Sequence, residues 1–181
     1  MCLRILALIC LGLAMSQLGA AAWIQVKAEL AQRLIAQAWA EPGDARPWPW
    51  ADTWPVARLR FPDRNQDLYV LAGDHGQALA FGPGHQAASA PPGEPGITII
   101  GGHRDTHFAF LQHVEPGERL SLTGKSGLTR HYRIEATRIE DSRRGPLQAA
   151  GDGLILVTCF PFDAIDPGGP LRFLVVARPE G

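Results

Sequence analysis

Three side chains that could act together in catalysis stand at the ends of apolar runs in this sequence. Cys159 ends the run "LILVTC", His103 follows "ITIIGG", and Arg172 opens the last run, "RFLVVAR". A thiolate is a nucleophile, an imidazole can stabilise it or give a proton to a leaving amine, and a guanidinium can stabilise a developing oxyanion. Because residues at neighbouring strand ends can converge although they are far apart in sequence, we take a Cys–His–Arg site as the first functional hypothesis.

The segments that would position these residues have the pattern of short strands separated by glycine and proline. In "ERLSLTG" the apolar Leu120 and Leu122 alternate with polar residues, and in "RHYRIEATRI" Tyr132 and Ile134 do the same. Such alternation is typical of strands with one buried face. About seven strands of this kind predict an all-β domain, a closed or nearly closed barrel. Within it, only Arg104 to Val114 has the pattern of a short helix, for which Asp105 is a candidate N-cap.

Composition excludes several classes of protein. The chain has 181 residues, 46% of them hydrophobic, and a formal net charge of −1. A chain of this length and apolar content can bury a core and is not disordered. No basic stripe is present, so we expect no nucleic-acid partner.

The N-terminal segment predicts export from the cytoplasm. Residues Ile5 to Val26 carry no formal charge, and Arg4 precedes them. A helix of that length spans a bilayer, which indicates a single-pass anchor. The alternative is a cleaved signal peptide, with Ala20 to Ala22 as the processing site. We favour the anchor because the apolar run continues past that site, and both alternatives place the following domain outside the cytoplasm.

Export of the domain bears on whether Cys159 can form a disulfide bond. Cys2 and Cys10 lie before or within the apolar segment, so Cys159 has no disulfide partner in the exported domain. An unpaired thiol in an oxidising compartment is a candidate reactive group. A buried, inert cysteine is the alternative.

Three segments follow from these patterns. Residues 1–26 are the cytoplasmic end and anchor, residues 27–53 a helical stalk and a linker rich in Pro and Trp, and residues 54–181 the barrel. In the first part of the stalk, "VKAELAQRLIAQAWA", apolar residues recur at helical spacing. In the linker, Trp48, Trp50 and Trp54 are expected to dock onto the barrel.

The sequence resembles the sortase family, membrane-anchored cysteine transpeptidases of bacterial envelopes. The resemblance rests on "GGHRDTHFAFL", on "LVTCFPF" and on the arginine in "PGGPLRFLVVAR", in that order along the chain. It covers roughly Trp54 to Arg178. The tryptophan-rich lead-in and "FDAIDPGGPLR" are most similar to the sortases of Gram-negative bacteria, which would place the domain in a periplasm.

The resemblance implies an eight-stranded barrel that cleaves an LPxTG-type sorting signal through a thioacyl enzyme. It implies Cys159 as the nucleophile, His103 as the acid and base, and Arg172 as the substrate clamp, with Arg104 as a rival clamp. Thr158 and Asp105 are expected in supporting roles. The implied partners are an exported protein with a C-terminal sorting signal, an amine acceptor and the inner membrane, and no cofactor or metal is expected.

Two alternatives stay open from the residues alone. His103 and His107 are four residues apart and, with Cys159, could hold zinc if they shared a helical face. The barrel could also be a peptide-binding or structural module of the envelope without catalysis. A papain-like protease is disfavoured, because there the cysteine precedes the histidine.

Overall fold

The structure is a computed structural model of the chain and describes residues 26–145, 151–164 and 168–180. Across those ranges, no helix combines the length and the apolar character needed to pass through a bilayer. The predicted membrane segment, Ile5 to Val26, and the alternative cleavage site lie outside the described residues, except for Val26 itself. The anchor and the three segment boundaries therefore stay predictions.

The described residues form an eight-stranded closed β-barrel, which confirms the predicted all-β class. The strands follow the chain as β1 (Pro55–Phe61), β2 (Gln66–Ala72), β3 (Gly84–His85), β4 (Ile97–Gly101), β5 (Arg119–Gly124), β6 (Thr129–Asp141), β7 (Gly153–Cys159) and β8 (Leu171–Pro179). Around the barrel their order is β1-β2-β3-β4-β7-β8-β6-β5. β3 pairs parallel to β2, β4 pairs parallel to β7, and the other neighbours are antiparallel.

Alternating side chains of these strands fill the barrel. Leu120 and Leu122 of β5 and Tyr132 and Ile134 of β6 are buried, as their alternation predicts. Burying such apolar side chains is the main stabilising contribution to folding. The loop between β4 and β5 adds Phe108, which is fully buried in the same core. The loop that carries His103 is thereby held against the barrel.

Five helical segments flank the barrel in the described part of the chain. Residues 26–40 form α1 and Gly76–Phe81 form α2, and three short 3-10 helices lie at Pro62–Arg64, Ala109–His113 and Ser142–Arg144. The helix expected over Arg104 to Val114 is wrong in its first half. That half is a succession of turns, tied by a 3.0 Å hydrogen bond from the Phe108 N–H to the His103 carbonyl.

α1 is helical as predicted, and one of its faces packs against the barrel. Ile35 is buried in a small cluster with Leu71 of β2 and Ala78 of α2. At the end of α1, the ammonium of Lys125 donates to the carbonyls of Ala38 and Trp39, at 2.9 and 2.8 Å. A cation at this position complements the unpaired carbonyls and the negative end of the helix dipole.

The prediction that the linker tryptophans dock is confirmed for Trp48 and wrong for Trp50. Trp48 packs edge-on against Phe81, with ring centroids 4.8 Å apart. Trp50 is 77% exposed, because its neighbour Ala51 takes the buried position in that turn. Trp54 is half-buried next to β1.

Candidate active site

The strand register brings the three candidate residues to one region of the barrel. Cys159, the last residue of β7, is the direct cross-strand partner of Arg172 on β8. On its other side, β7 pairs with β4, whose last residue, Gly101, lies opposite Val157. His103 follows Gly101 by two residues. The order of strands β4-β7-β8 therefore places His103 and Arg172 on opposite sides of Cys159.

Thr158 fastens the histidine loop to the nucleophile strand. It is 2% exposed, and its hydroxyl donates to the Gly102 carbonyl at 2.7 Å. The Gly102 N–H in turn donates to the Val157 carbonyl at 3.0 Å. These bonds hold the residue before His103 against the residues that precede Cys159. Thr158 thus links the segment before His103 to the strand that ends at Cys159, and its supporting role stays a prediction.

A cleft of about 280 Å³ lies over this region, on the outer face of β4 and β7. Its lining includes Gly101, which has no side chain, so that a bound chain can approach the backbone closely there. Eleven residues line it: Asp74, Leu79, Gln86, Ile99, Gly101, Gly102, His103, Val157, Thr158, Cys159 and Arg172.

The side chains in the cleft are accessible to a ligand to different degrees. His103 is exposed, whereas Cys159 and Arg172 are half-buried. The Arg172 guanidinium donates to the carbonyls of Gly169 and Leu171, at 2.6 and 3.0 Å, which fixes its position at the start of β8. The remaining guanidinium N–H groups allow it to bind a carbonyl or an oxyanion.

Two predicted supporting residues do not line the cleft. Arg104, the rival clamp, donates to the Ala164 carbonyl at 2.7 Å, across to the segment that follows Cys159. Asp105 is exposed, and its expected role as an N-cap is wrong. The 3-10 helix begins after Phe108 and has no side-chain cap, because the intervening residues form turns.

His107 lies in a different depression from His103. That depression, of about 610 Å³, is lined by residues of α1 and α2, by Leu68 of β2 and by His107. Burial lowers the pKa of His107, the positive charge of His103 lowers it further, and Asp105 opposes the shift. Within the described residues, no group of three or more His, Cys, Asp or Glu side chains is arranged to hold a metal ion. The proposed zinc set of His103, His107 and Cys159 is therefore not assembled, since the two histidines do not share a helix.

Sequence reasoning missed the cleft residues on the β3 side, namely Asp74, Leu79 and Gln86. A signal was available for one of them. Asp74 follows Gly73, which ends the apolar run "DLYVLAG", so it too is a charged residue placed just after a strand. Gln86 comes directly after β3, a strand of two residues that has no sequence pattern of its own.

Comparison with known proteins identifies the family to which this chain belongs. The Sortase domain matches residues 59–180, and on this match the chain belongs to the sortase family. Sortase D of Bacillus subtilis (strain 168) is 32% identical over 123 residues, which cover 66% of this chain and 61% of that protein. The matched region thus spans less than two thirds of this curated relative.

Solved structures show the same fold. Sortase A from Corynebacterium diphtheriae superposes with a TM-score of 0.60 at 21% identity, covering 85% of this chain and 82% of that one. Sortase C-1 from Actinomyces oris gives a TM-score of 0.60 at 21% identity, covering 70% and 73%. At this level of identity, the likeness concerns the architecture alone.

Proposed function

We propose that this protein is a cysteine transpeptidase that cleaves an LPxTG-type sorting signal and transfers the acyl fragment to an amine. The observation that carries the proposal is the single cleft lined by Cys159, His103 and Arg172 in a chain of the sortase family. Cys159 is a free thiol and half-buried, and its cross-strand partner, Arg172, is the cation beside it.

The arrangement supports a two-step acyl transfer. The thiolate of Cys159 attacks the threonine carbonyl of the signal, and Arg172 stabilises the tetrahedral oxyanion. His103 protonates the departing glycine amine, the C–N bond breaks, and a thioester remains on Cys159. An incoming amine then attacks the thioester carbonyl, His103 takes up its proton, and the C–S bond breaks to return the thiolate.

The open backbone at Gly101 supports an extended peptide as the substrate. Gly101, the last residue of β4, lines the cleft together with His103 and Cys159. We propose as partners an exported protein that carries the sorting signal at its C-terminus, and an amine acceptor of the cell envelope.

For the location, we propose an N-terminal anchor in the inner membrane with the barrel in the periplasm. The uncharged run from Ile5 to Val26, preceded by Arg4, supports the anchor. The tryptophan-rich linker and the segment "FDAIDPGGPLR" support the Gram-negative type of sortase, and hence a periplasm.

The test of the activity is intact mass spectrometry of the full-length protein incubated with an LPxTG-type peptide. We expect an added mass equal to the acyl fragment, which is absent in Cys159→Ala. A matched control replaces Cys2 and Cys10 with serine and leaves Cys159 as the single thiol, and it should form the adduct like the wild type. If the wild type binds the peptide without forming an adduct or cleaving it, the protein is a binding module and not a transpeptidase.

A further inference from the structure

A carboxylate lies in the same cleft as the three candidate catalytic residues. Asp74 lines the cleft on the β3 side, in the connection between β2 and α2. Among the described residues, no lysine or arginine forms an ion pair with it. The one hydrogen bond its side chain accepts there is long, 3.4 Å from the amide of Gln86, which lines the same cleft. A partly accessible carboxylate with so weak a partner is available to bind a cationic group.

The backbone holds Asp74 firmly against the barrel. A Cβ atom added at Gly84 of β3 would lie 2.1 Å from the Gly73 carbonyl oxygen and 2.9 Å from the Asp74 Cα. The Cβ of Asp74 itself lies 3.7 Å from the position of a Cβ at Gly101. Gly73 has φ +83°, a left-handed conformation that glycine adopts without strain. Close packing on two glycines thus fixes the backbone from which the Asp74 side chain lines the cleft.

The order of the strands indicates whether Asp74 lies on the side of the amine or on the side of the acyl carbonyl. Across the cleft the order is β3-β4-β7-β8, so Asp74 and Arg172 lie on opposite sides of Cys159. His103 follows β4 and is on the side of Asp74. Because His103 exchanges a proton with the leaving amine and with the incoming amine, the amines occupy the His103 side. The acyl carbonyl is held from the side of Arg172.

We propose that Asp74, assisted by the amide of Gln86, binds the protonated amino group of the acyl acceptor. This inference rests on the proposed transpeptidase function. Amino groups of peptides and lysine are largely protonated at neutral pH. A carboxylate therefore attracts them, whereas it gives no advantage to a neutral nucleophile.

Transfer of the acyl group to the acceptor removes two protons from its ammonium group. The bound ammonium loses one proton to water, and the neutral nitrogen forms a C–N bond with the thioester carbonyl carbon. The C–S bond breaks with its electron pair passing to the sulfur of Cys159, and the second proton passes from nitrogen to His103. Asp74 raises the local concentration of the amine and takes no proton.

The experiment compares two nucleophiles in full-length Asp74→Asn and wild-type protein. Triglycine carries a protonated amino group at neutral pH, and hydroxylamine is mostly uncharged. We expect Asp74→Asn to raise the KM for triglycine about threefold to fivefold, the scale of one partly exposed charge pair. Transfer to hydroxylamine and formation of the acyl adduct on Cys159 should not change. In Asp74→Glu the KM for triglycine should rise less than in Asp74→Asn. Asp52 is an exposed aspartate in the linker, and Asp52→Asn should have the KM of the wild type.

Each other outcome overturns the inference in a distinguishable way. An equal loss with triglycine and hydroxylamine means that Asp74 only shapes the cleft. Slower adduct formation with an unchanged KM for triglycine means that the carboxylate binds a basic group of the sorting signal. An unchanged KM with a normal adduct leaves the transpeptidase intact and removes the role of Asp74. Failure of the wild type to form any adduct removes the proposed function together with this inference.

Discussion

The hydroxyl of Thr158 donates to the carbonyl of Gly102, 56 residues earlier in the chain, at 2.7 Å. The two residues precede Cys159 and His103 respectively. One hydrogen bond from a buried hydroxyl thus connects the chain next to the candidate nucleophile with the chain next to the candidate acid and base. The relation between these two chemical groups therefore depends on a side chain that takes no part in the reaction.

Replacing Thr158 with valine tests this connection. Valine has nearly the same shape but leaves the Gly102 carbonyl without its buried donor, which costs about 1–3 kcal/mol. We expect lower stability in urea and a lower kcat for peptide cleavage with little change in KM, because the position of His103 is altered. Thr158→Ser keeps the hydroxyl and should retain most of the activity. Equal kcat values for the valine variant and the wild type would contradict the positioning role.

Gly102 should not tolerate even a methyl group. A Cβ at this position would lie 2.6 Å from the ring of Phe108, which is fully buried. We expect Gly102→Ala to lower the free energy of unfolding by about 1–3 kcal/mol through overpacking. Gly101→Ala is the matched control, since its added Cβ would be 3.7 Å from its nearest neighbour, an ordinary contact.

A double-mutant cycle identifies the cause of that loss. Combined with Phe108→Leu, Gly102→Ala should cost less than the sum of the two single changes, because the smaller side chain leaves room for the methyl group. Strictly additive losses would show that the strain lies elsewhere than against this ring.

Most strands of the barrel could be predicted because alternation and apolar runs are properties of short stretches of sequence. The alternation in β5 and β6 is visible residue by residue, and the runs ending at Cys159 and beginning at Arg172 mark β7 and β8 directly. β3 could not be predicted, since its two residues, Gly84–His85, are a strand only through their pairing with β2 and β4. The position of Asp74 after a strand was visible in the sequence, but its place in the cleft was not, because that depends on the packing of Gly73 against Gly84.

The preference for Arg172 over Arg104 comes from the family resemblance, since the spacing along the chain alone does not distinguish the two arginines. Arg104 adjoins His103 in the chain, yet the structure directs it to the Ala164 carbonyl, whereas Arg172 reaches the cleft through its pairing with Cys159. We expect Arg172→Lys to lower kcat/KM on the order of a hundredfold, because one ammonium does not replace the planar guanidinium at an oxyanion. Arg104→Lys should have a much smaller effect, measured on the same peptide. Equal losses in the two variants would contradict this assignment of the clamp.

His107 should titrate at a lower pH than an ordinary histidine. Burial and the charge of His103 both lower its pKa, so His103→Asn should raise it, while burial keeps it below the usual value. The ring C–H signals in proton NMR, assigned with His107→Gln, measure both titrations. A His107 midpoint that does not move in His103→Asn would mean that the two imidazoles do not interact.

The same shift makes stability depend on pH. A lowered pKa in the folded state means that the unfolded chain binds more protons below about pH 6.5. The contribution of His107 is therefore fully present above that pH and is lost as the pH falls through the folded-state pKa. We expect urea midpoints of the wild type to fall more steeply than those of His107→Gln between about pH 7 and 5. If the urea midpoints of the two proteins change equally with pH, the predicted loss of stability on protonation of His107 is contradicted.

Lys125 should control whether α1 stays on the barrel. Its ammonium donates to the last carbonyls of α1 and lies 5.1 Å from the centroid of the Trp39 ring. Lys125→Met keeps the apolar stem but loses two charge-assisted hydrogen bonds, which should cost about 1–3 kcal/mol. Since both hydrogen bonds of the ammonium go to α1, the loss should appear as faster hydrogen exchange in residues 26–40, with the barrel amides unchanged.

Arg33→Met is the matched control, because Arg33 lies on the exposed face of the same helix and its one ion pair among the described residues is with Glu29. Such exposed i,i+4 pairs contribute a few tenths of a kcal/mol, so exchange in α1 should hardly change. If Lys125→Met instead raises exchange throughout the barrel, α1 and the barrel unfold as one unit.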